Sequence, residues 1–434
     1  MERGLFACIQ RWFMSNEVIY SASWLLNPDA PPVAGGALLV SDGSVVETGT
    51  LSALRSRYSV PVVDYPGSAL LPGFVNAHTH LELSHFPSWL HKSPIDYAPH
   101  SFADWIIQLI KIKRGLTDDD YCTSIREGVR MCLESGTTAI GEIVSNPAMA
   151  AYYYCSPLAG RLYFELLGQE SGLFQSKLAA AMAVVLSEEV QTLPPGLSPH
   201  SLYTIAVKHL ATIRDASAVH RLPLAIHLAE SRSEADFVFD GSGDLASSFY
   251  PFVGWEHFLG NPSRCSSTEL LHRHGLLTPT TVAVHCVHVS ASDAAIIKMS
   301  GAHIALCPRS NDLLDVGRAP VALLKKAGIP LALGTDSLAS NNSLSMWDEL
   351  RFALETFPDD LSEHDVFTMA TVGGAAALGI TATSGSLDVG KRADFQVVGH
   401  FDGDEKNVLE RVMRDGRVQE IFVTGVRYEG NTPS

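Results

Sequence analysis

The stretch Leu71-Pro-Gly-Phe-Val-Asn-Ala-His78-Thr-His80-Leu-Glu-Leu-Ser84 decides the fold of this chain. Pro72-Gly73 is a turn signal, and Phe74-Val75 predicts a short buried strand that ends just before two histidines. Residues two apart on an extended chain point the same way, so His78 and His80 can face one point. Imidazole binds zinc and iron, although an isolated His-x-His is more often two ordinary surface or capped histidines. The meaning of the pair therefore depends on the rest of the chain.

Short apolar runs alternate with amphipathic stretches beyond this point. The amphipathic stretches predict helices, among them 103–112, 121–134 and 291–299. Strands linked by helical crossovers over about 300 residues have the size and rhythm of a (β/α)8 barrel. The eight predicted strands are Leu71–Val75, Ala139–Ile143, Leu162–Leu166, Leu197–Pro199, Leu224–His227, Val282–His285, Ile304–Leu306 and Leu331–Gly334.

Both ends of the chain show a different pattern, in which short β-prone runs are separated by turns. These runs are Val18–Tyr20 and Ala37–Val40 at one end, and Ala393–Val398 and Ile421–Val423 at the other. The expected fold is therefore α/β: a TIM barrel over residues 71–380, and a small β-sandwich domain built from residues 1–70 and 381–434. The longest irregular region, residues 240–267, is the candidate lid.

Composition excludes several classes of function. The 434 residues include 47 acidic and 31 basic side chains, and a formal charge of -16 would repel nucleic acid and anionic membranes. No apolar run reaches the roughly 18 residues of a membrane span. Seven cysteines without paired spacing indicate reduced thiols. We expect a cytoplasmic protein with a small-molecule substrate and no signal peptide, starting at Met1 or Met14; a homodimer is compatible with the sequence.

Titratable side chains follow five of the predicted strands. The carboxyl ends of the strands form the active-site face of such a barrel, so we expect these groups to converge. A single histidine at a strand end would more often be structural, but so many are hard to explain by packing alone. They are His78 and His80, His200, His227 with Glu230, His285, and Asp336.

These residue types indicate metal-assisted hydrolysis. Three neutral imidazoles and one carboxylate would hold a divalent ion that lowers the pKa of water toward neutrality. Glu230 comes three residues after His227, close enough to take a proton from that water and deliver it to a leaving group. The alternative for Glu230 is a helix N-terminal acid. His285 could hydrogen-bond the water or the substrate, whereas we expect His288 to be structural.

The motifs resemble the amidohydrolase superfamily, in its aminohydrolase (deaminase) branch. The resemblance covers nearly all of residues 18–426 and implies a metal-dependent barrel hydrolase. A segment at 385–394 is similar to the one that returns such chains to their β-sandwich. The motifs occur in the family's order: the opening stretch, His227-Leu-Ala-Glu230, His285-Cys286, Cys307-Pro-Arg-Ser-Asn311 and Gly334-Thr-Asp336-Ser337.

Carried over residue by residue, the resemblance assigns roles. It implies that His78, His80, His227 and Asp336 are the metal ligands, and that Glu230, His285 and Asp336 are catalytic. Two-metal members typically place a carboxylated lysine after the fourth strand, where this chain has His200. One divalent ion, zinc or iron, is therefore expected.

The substrate is less determined. Similar deaminases act on guanine and other purines, methylthioadenosine or S-adenosylhomocysteine, pterins, or 6-amino-6-deoxyfutalosine of the futalosine route to menaquinone. Details of the sequence are most similar to the last group, and the implied substrate-binding residues are His200, Arg309, Glu82, Glu165 and Asn311. A chlorohydrolase-type reaction and cyclic-amide hydrolysis remain alternatives. A catalytically inactive scaffold is disfavoured, because no metal ligand or catalytic acid is missing.

Several of these residues have structural alternatives. Glu82 could orient a metal ligand instead of binding substrate, and Glu142 and Glu165 could be structural acids at the barrel mouth. Arg309 could pair bidentately with a substrate carboxylate, such as the benzoate of aminodeoxyfutalosine. Alternatively, it could brace its loop, or pair with Asp312 or Asp315.

Overall fold

The computed structural model describes residues 17–187, 192–260 and 262–430. Two separate β-sheets organise these residues, one built from both ends of the chain and one from its middle. The predictions for residues 1–16 lie outside the described residues. Among the helices that the structure does describe, none has the length and apolar character to cross a membrane.

The strands, in chain order, are β1 (Val18–Leu25), β2 (Val33–Ala34), β3 (Gly36–Ser41), β4 (Ser44–Thr50), β5 (Val62–Pro72), β6 (Phe74–Thr79), β7 (Thr137–Val144), β8 (Ala159–Leu166), β9 (Pro195–Pro199), β10 (Leu224–Leu228), β11 (Thr281–His285), β12 (His303–Leu306), β13 (Leu331–Leu333), β14 (Phe395–Gly399), β15 (Arg417–Val423) and β16 (Val426–Arg427).

The α-helices are α1 (Leu51–Arg55), α2 (Phe86–Lys92), α3 (Phe102–Lys113), α4 (Asp118–Glu134), α5 (Ala150–Tyr154), α6 (Ser171–Val185), α7 (Val207–His220), α8 (Arg232–Asp240), α9 (Tyr250–Val253), α10 (Ser267–Arg273), α11 (Ala291–Ser300), α12 (Pro308–Leu313), α13 (Val321–Ala327), α14 (Met346–Thr356), α15 (Glu363–Thr368), α16 (Gly374–Leu378) and α17 (Val408–Asp415). Shorter helical turns cover Leu81–Leu83, Pro147–Met149, Leu245–Phe249, Glu256–Phe258 and Met369–Gly373.

The terminal sheet joins the two ends of the chain. Its strands follow the order β16-β15-β14-β5-β1-β3-β4, with β2 paired to β1. Strand β5 lies in the middle, antiparallel to β14 and parallel to β1. The first and last parts of the sequence therefore fold as one β domain, as the β-prone runs at the two ends predict.

The middle of the chain forms the barrel. Its eight strands follow the order β13-β12-β11-β10-β9-β8-β7-β6, with neighbours paired in parallel. A bridge between Thr79 and Asp336 connects the first strand to the turn after the last. The fold class predicted from the sequence is confirmed.

The barrel strands are buried on both faces. In β8, Tyr163 faces the barrel interior with Val75 and Ala225, whereas Leu162 and Phe164 pack outward under the helices. Small residues fill much of the interior, and larger residues fill the outer layer, as close packing of a narrow barrel requires. Burial of both faces explains why these strands appear as continuous apolar runs in the sequence.

The predicted first barrel strand, Leu71–Val75, is divided between the two sheets. Strand β5 continues through Leu71 to Pro72 in the terminal sheet, and β6 begins at Phe74. Gly73 makes the transition, because a Cβ there would lie 2.1 Å from Thr138 Oγ1. One apolar run can thus serve two sheets, which the apolar pattern alone does not reveal.

The candidate lid, residues 240–267, contains short helices instead of an extended loop. Its aromatic residues Phe249, Tyr250 and Trp255 belong to one cluster with Phe102 and Ile106 of α3. The Tyr250 hydroxyl donates a hydrogen bond to the backbone carbonyl of Tyr203, at 3.1 Å. This segment therefore packs on α3 at the carboxyl end of the barrel.

Candidate metal centre and active site

Three histidines converge where the sequence places them. His78 lies in β6, His80 directly follows that strand, and His227 lies in β10. The Nε2 atom of His80 is 3.2 Å from that of His78 and 3.4 Å from that of His227. Asp336 Oδ1 joins them from the turn after β13, 3.7 Å from His78 Nε2 and 3.5 Å from His80 Nε2.

These four donors fit a divalent metal ion. Tetrahedral zinc ligands at roughly 2.0–2.1 Å from the ion are separated from one another by about 3.3–3.4 Å, close to the observed spacing of the imidazole nitrogens. Burial, followed by the charges of nearby histidines, holds the pKa of His80 and His227 well below the usual value. Neutral imidazoles present lone pairs, and such closely spaced lone pairs are stabilised by a shared cation.

Hydrogen bonds fix the orientation of His227 and Asp336. His227 Nδ1 donates to the carbonyl of His200 at 2.8 Å, which leaves Nε2 as the free lone pair. Asp336 Oδ2 accepts hydrogen bonds from Ser310 at 2.7 Å and Ser340 at 2.8 Å, so Oδ1 is left to face the histidines. Burial works to raise the pKa of Asp336, but its interactions with His78 and the neighbouring histidines hold that pKa well below the usual range.

The backbone at Asp336 is held in an unusual conformation. Its φ of 58° lies in the left-handed region that non-glycine residues rarely adopt. Its N–H donates to the carbonyl of His78 at 3.1 Å, and the Asn76 side chain bonds to Thr335. Gly334 permits this approach, because a Cβ there would lie 2.8 Å from His78 Cβ. Contacts with the first barrel strand thus stabilise the strained turn.

Glu230 and His285 form a second group beside the first. Glu230 Oε1 lies 3.5 Å from His285 Nε2, and with Asp336 these residues make another cluster of potential ligand atoms. Burial, with added repulsion from Asp336 and Glu234, raises the pKa of Glu230 well above its usual value. A carboxyl group with a raised pKa can hold a proton near neutral pH and release it again.

The backbone directs both side chains into the site. His285 has a φ of 70°, which interrupts the alternation of β11, and its ring centre lies 5.5 Å from that of His227. His285 Nδ1 bonds to Asn311 Oδ1 at 2.9 Å, so its Nε2 is the acceptor on the site side. Burial lowers the pKa of His285 to about 4, which keeps the ring neutral.

Glu234, which is not among the residues predicted from the sequence, positions Glu230. Its two carboxylate oxygens accept the backbone N–H groups of Ala229 and Glu230, each at 2.9 Å. Glu230 itself precedes the cap residue Ser231 and lies outside α8, so the capping acid is Glu234. The sequence did carry a signal, since Ser231-x-x-Glu234 has the pattern of a helix N-terminus.

Two residues that the sequence predicts to contact substrate instead form hydrogen bonds with other groups of the protein. Glu82 is buried, and its carboxylate accepts hydrogen bonds from the backbone N–H groups of Ser145 and Asn146 and from the Ser145 hydroxyl. The Arg309 guanidinium bonds to the side chains of Asn341 and Asn342. These contacts support loop-bracing for both residues and do not favour direct substrate contact.

The structure also distinguishes between the alternatives for Arg309 and for Glu142. Arg309 lies over the Phe352 ring at 5.6 Å, and among the described residues it pairs with neither Asp312 nor Asp315. Glu142 accepts the N–H of Leu81 and the hydroxyl of Tyr153, which makes it a structural acid.

His288 Nε2 donates to the carbonyl of Val316 at 2.9 Å, the structural role expected of it. The side-chain oxygen of Asn311 accepts a hydrogen bond from His285 Nδ1, and Asn311 is only 2 % exposed.

One acidic and one basic side chain differ from the residues above in having no such hydrogen bonds. Glu165, from β8, and Lys113, the last residue of α3, make no side-chain hydrogen bond or ion pair with any residue that the structure describes. His200 lies beside them, with Nδ1 bonded to Ser201 and Thr204. Lys113 has no motif around it, so the sequence does not mark it as a site residue.

A cavity of about 370 Å³ opens at the same end of the barrel. It lies between the start of α3, the start of α8 and the end of α12. Its lining includes Phe102, Trp105, Ser231, Arg232 and Leu314. Ser231 follows Glu230 in the sequence, but Glu230, His285 and the four candidate metal ligands are not among the residues that line this cavity.

Comparisons with known proteins agree with this architecture. A 5-methylthioadenosine/S-adenosylhomocysteine deaminase from Desulforudis audaxviator is 30% identical over 84% of this chain and 81% of its own length. An aminodeoxyfutalosine deaminase from Deinococcus radiodurans is 29% identical over 80% of this chain and 81% of its own length.

A solved structure shares the fold. The aminofutalosine deaminase of Helicobacter pylori in complex with methylthio-coformycin aligns with a TM-score of 0.83 and 23% identity, over 94% of this chain and 99% of that one. The profile of the amidohydrolase family matches residues 69–426, the barrel together with its returning strands. The chain therefore belongs to the amidohydrolase family and is a hydrolase of carbon–nitrogen bonds.

Proposed function

We propose that this protein is a metal-dependent deaminase of adenosine-like nucleosides. The observation that carries the proposal is the pairing of Glu230 with His285, 3.5 Å apart, next to three histidine nitrogens and one carboxylate. Proton transfer and metal binding are the two functions that hydrolytic removal of an aromatic amine needs. The names of the similar deaminases support the same conclusion.

His78, His80, His227 and Asp336 would hold the metal ion, as either zinc or iron. When bound, a divalent ion supplies Lewis acidity that makes water a nucleophile near neutral pH. Asp336 and the free Nε2 of His285 orient the attacking water, because both can accept a hydrogen bond from it.

Glu230 moves the protons. It takes one from the attacking water and donates it to the ring nitrogen beside the carbon that carries the amine. The carbon–nitrogen bond then breaks, and the amine leaves as ammonia after it receives a second proton through Glu230. Burial suits Glu230 to this task, because its raised pKa brings the protonated and ionised forms closer in free energy at neutral pH.

For the substrate, we propose 6-amino-6-deoxyfutalosine, which would place the protein in the futalosine route to menaquinone. A relative and a structural neighbour named for this substrate support the proposal, and a cavity of about 370 Å³ that starts at Ser231, one residue after Glu230, leaves room for a 5′ substituent. Methylthioadenosine or S-adenosylhomocysteine is the second candidate, since the 30% identical relative carries that name.

Ammonia release from a nucleoside panel tests the proposal. The panel contains aminodeoxyfutalosine, methylthioadenosine, S-adenosylhomocysteine, adenosine, guanine and a pterin, each assayed with the metal-loaded protein. We expect the highest kcat/KM with aminodeoxyfutalosine. A higher value with methylthioadenosine would transfer the assignment to the second candidate, and no release from any adenine nucleoside would overturn the deaminase proposal.

A further inference from the structure

Glu349 is a buried acid that no step of the proposed reaction uses. It lies in α14, is 0 % exposed, and its two carboxylate oxygens face different donors. Oε1 accepts the backbone N–H of Arg309 at 2.9 Å, and Oε2 accepts the side-chain amide of Asn341 at 3.2 Å. A carboxylate in the interior would be costly without these donors, so the two contacts hold Glu349 and its partners in one arrangement.

The Arg309 N–H belongs to the first turn of α12. The first N–H groups of a helix have no acceptor within the helix, and the residue before α12, Cys307, provides no side-chain cap. Glu349 provides the missing acceptor from another helix. The start of α12 is therefore tied to α14 by this carboxylate.

The two residues that follow Arg309 contact groups of the site. The Ser310 hydroxyl donates to Asp336 Oδ2 at 2.7 Å. The side-chain oxygen of Asn311 accepts a hydrogen bond from His285 Nδ1 at 2.9 Å. A shift of the start of α12 would therefore disturb both contacts at once.

The second oxygen of Glu349 connects to the turn that carries Asp336. The Asn341 amide that donates to Glu349 also donates to the carbonyl of Thr335, at 2.8 Å. The Asn341 side-chain oxygen accepts the N–H of Asn342 at 2.7 Å, which fixes the direction of the amide. Glu349 thus links the start of α12 to the turn after β13.

The backbone of Arg309 contributes more to this arrangement than its side chain does. The guanidinium Nε lies 4.0 Å from Glu349 Oε2, beyond hydrogen-bonding distance, and bonds instead to Asn341. Burial raises the pKa of Glu349 to about 8, and the hydrogen bond from the Arg309 N–H is the largest of the contacts that oppose this rise. Glu349 therefore holds the chain at Arg309 and is not mainly a counter-ion of the guanidinium.

We propose that Glu349 is a positioning residue for the reaction, which acts by holding the start of α12. Ser310 carries the effect to Asp336. Asn311 carries it to His285. This inference rests on the proposed function, since it assigns a role to a group that touches neither the substrate nor the metal ion.

Glu349→Gln in the metal-loaded protein tests the proposal. The amide keeps one oxygen but turns a donor toward the second donor, so the start of α12 should be less well held. Loss of a group that orients metal ligands typically costs about 10–100-fold in activity or metal affinity, so we expect kcat to fall roughly tenfold. KM should change by less than about threefold. Release of the metal to a chelator should also become faster, by roughly tenfold.

A combined variant gives a measurement that a purely structural role would not change. In Ser310→Ala/Asn311→Ala, the side chains at the start of α12 no longer contact the site. Adding Glu349→Gln to this variant should then lower kcat by less than about threefold more, because residues that act through one another are not additive. A further loss as large as the one in the parent background would overturn the proposal.

Three further variants serve as controls. Glu355→Gln, at an exposed position of the same helix, should behave as the parent. Arg309→Met keeps the backbone N–H, so its loss of kcat should be smaller than that of Glu349→Gln, and an equal loss would make the ion pair responsible and overturn the proposal. Glu349→Asp keeps the charge but draws the oxygens back by about 1.5 Å, so it should also lower kcat. It covers misfolding of the Gln variant.

The outcomes separate this inference from the proposed function. An unchanged kcat in Glu349→Gln and Glu349→Asp, or a loss confined to KM, would overturn the positioning role. Ammonia release by the parent protein tests the deaminase function by itself. Metal release to the chelator tests the positioning role even if the parent deaminates none of the nucleosides.

Discussion

The floor of the site and its rim are built differently. In the floor, made of His78, His80, His227, Glu230, His285 and Asp336, neighbouring groups orient the functional atoms: His227 bonds to the His200 carbonyl, and His285 bonds to Asn311. At the rim, made of Lys113 and Glu165, the described residues supply no such bonds. Catalysis requires groups that are preorganised before substrate arrives, and among the described residues this preorganisation is present in the floor and absent from the rim.

The largest expected effect in the floor follows His227→Ala. Removing one of four donors should reduce the metal from about one equivalent per chain to a small fraction, and turnover should be lost with it. Metal analysis and ammonia release measure the two effects. His220→Ala, at the exposed end of α7, is the control. Full metal occupancy in His227→Ala would remove His227 from the proposed ligands.

Glu230→Gln separates proton transfer from metal binding. The amide keeps the size of the side chain but cannot carry the proton, so kcat should fall by about 10²–10⁴-fold or more while metal content stays at the parent level. The exposed Glu405→Gln is the matched control and should retain full activity. Activity within a fewfold of the parent would move the proton carrier elsewhere, with His285 next in line.

Glu234→Gln tests whether the floor depends on positioning. Gln has only one oxygen for the two backbone N–H groups that Glu234 now accepts, so the turn at Glu230 should be less well held. Charged hydrogen bonds contribute about 1.5–3 kcal/mol, so we expect a loss of roughly ten- to a hundredfold in kcat with metal retained. A change confined to KM would mean that Glu234 does not position the proton carrier.

The smallest expected effect follows Arg309→Met. Because the guanidinium bonds to Asn341 and Asn342 and lies 5.6 Å from the centre of the Phe352 ring, its loss should lower the melting temperature and reduce activity modestly. The reduction should be the same for aminodeoxyfutalosine and for a nucleoside without a carboxylate. A selective loss on aminodeoxyfutalosine would instead return Arg309 to substrate binding and contradict the contrast between floor and rim.

The sequence predicts most of the floor, because strand ends in a barrel share one face. His78, His80 and His227 are recognisable from strand positions alone, and the structure brings their ring nitrogens together. The inward direction of His285 is not recognisable in this way. Alternation along β11 would turn that side chain outward, and the φ of 70° reverses it.

Periodicity and short local motifs are enough to predict the barrel, the second sheet made from both ends of the chain, and the convergence of His78, His80 and His227. The bonds of Arg309 to Asn341 and Asn342, and those of Glu82 to the backbone at Ser145 and Asn146, become known only from the folded chain. The physical reason is that side-chain partners are selected by packing of distant segments. The partners of a side chain therefore cannot be predicted from the residues next to it in the sequence.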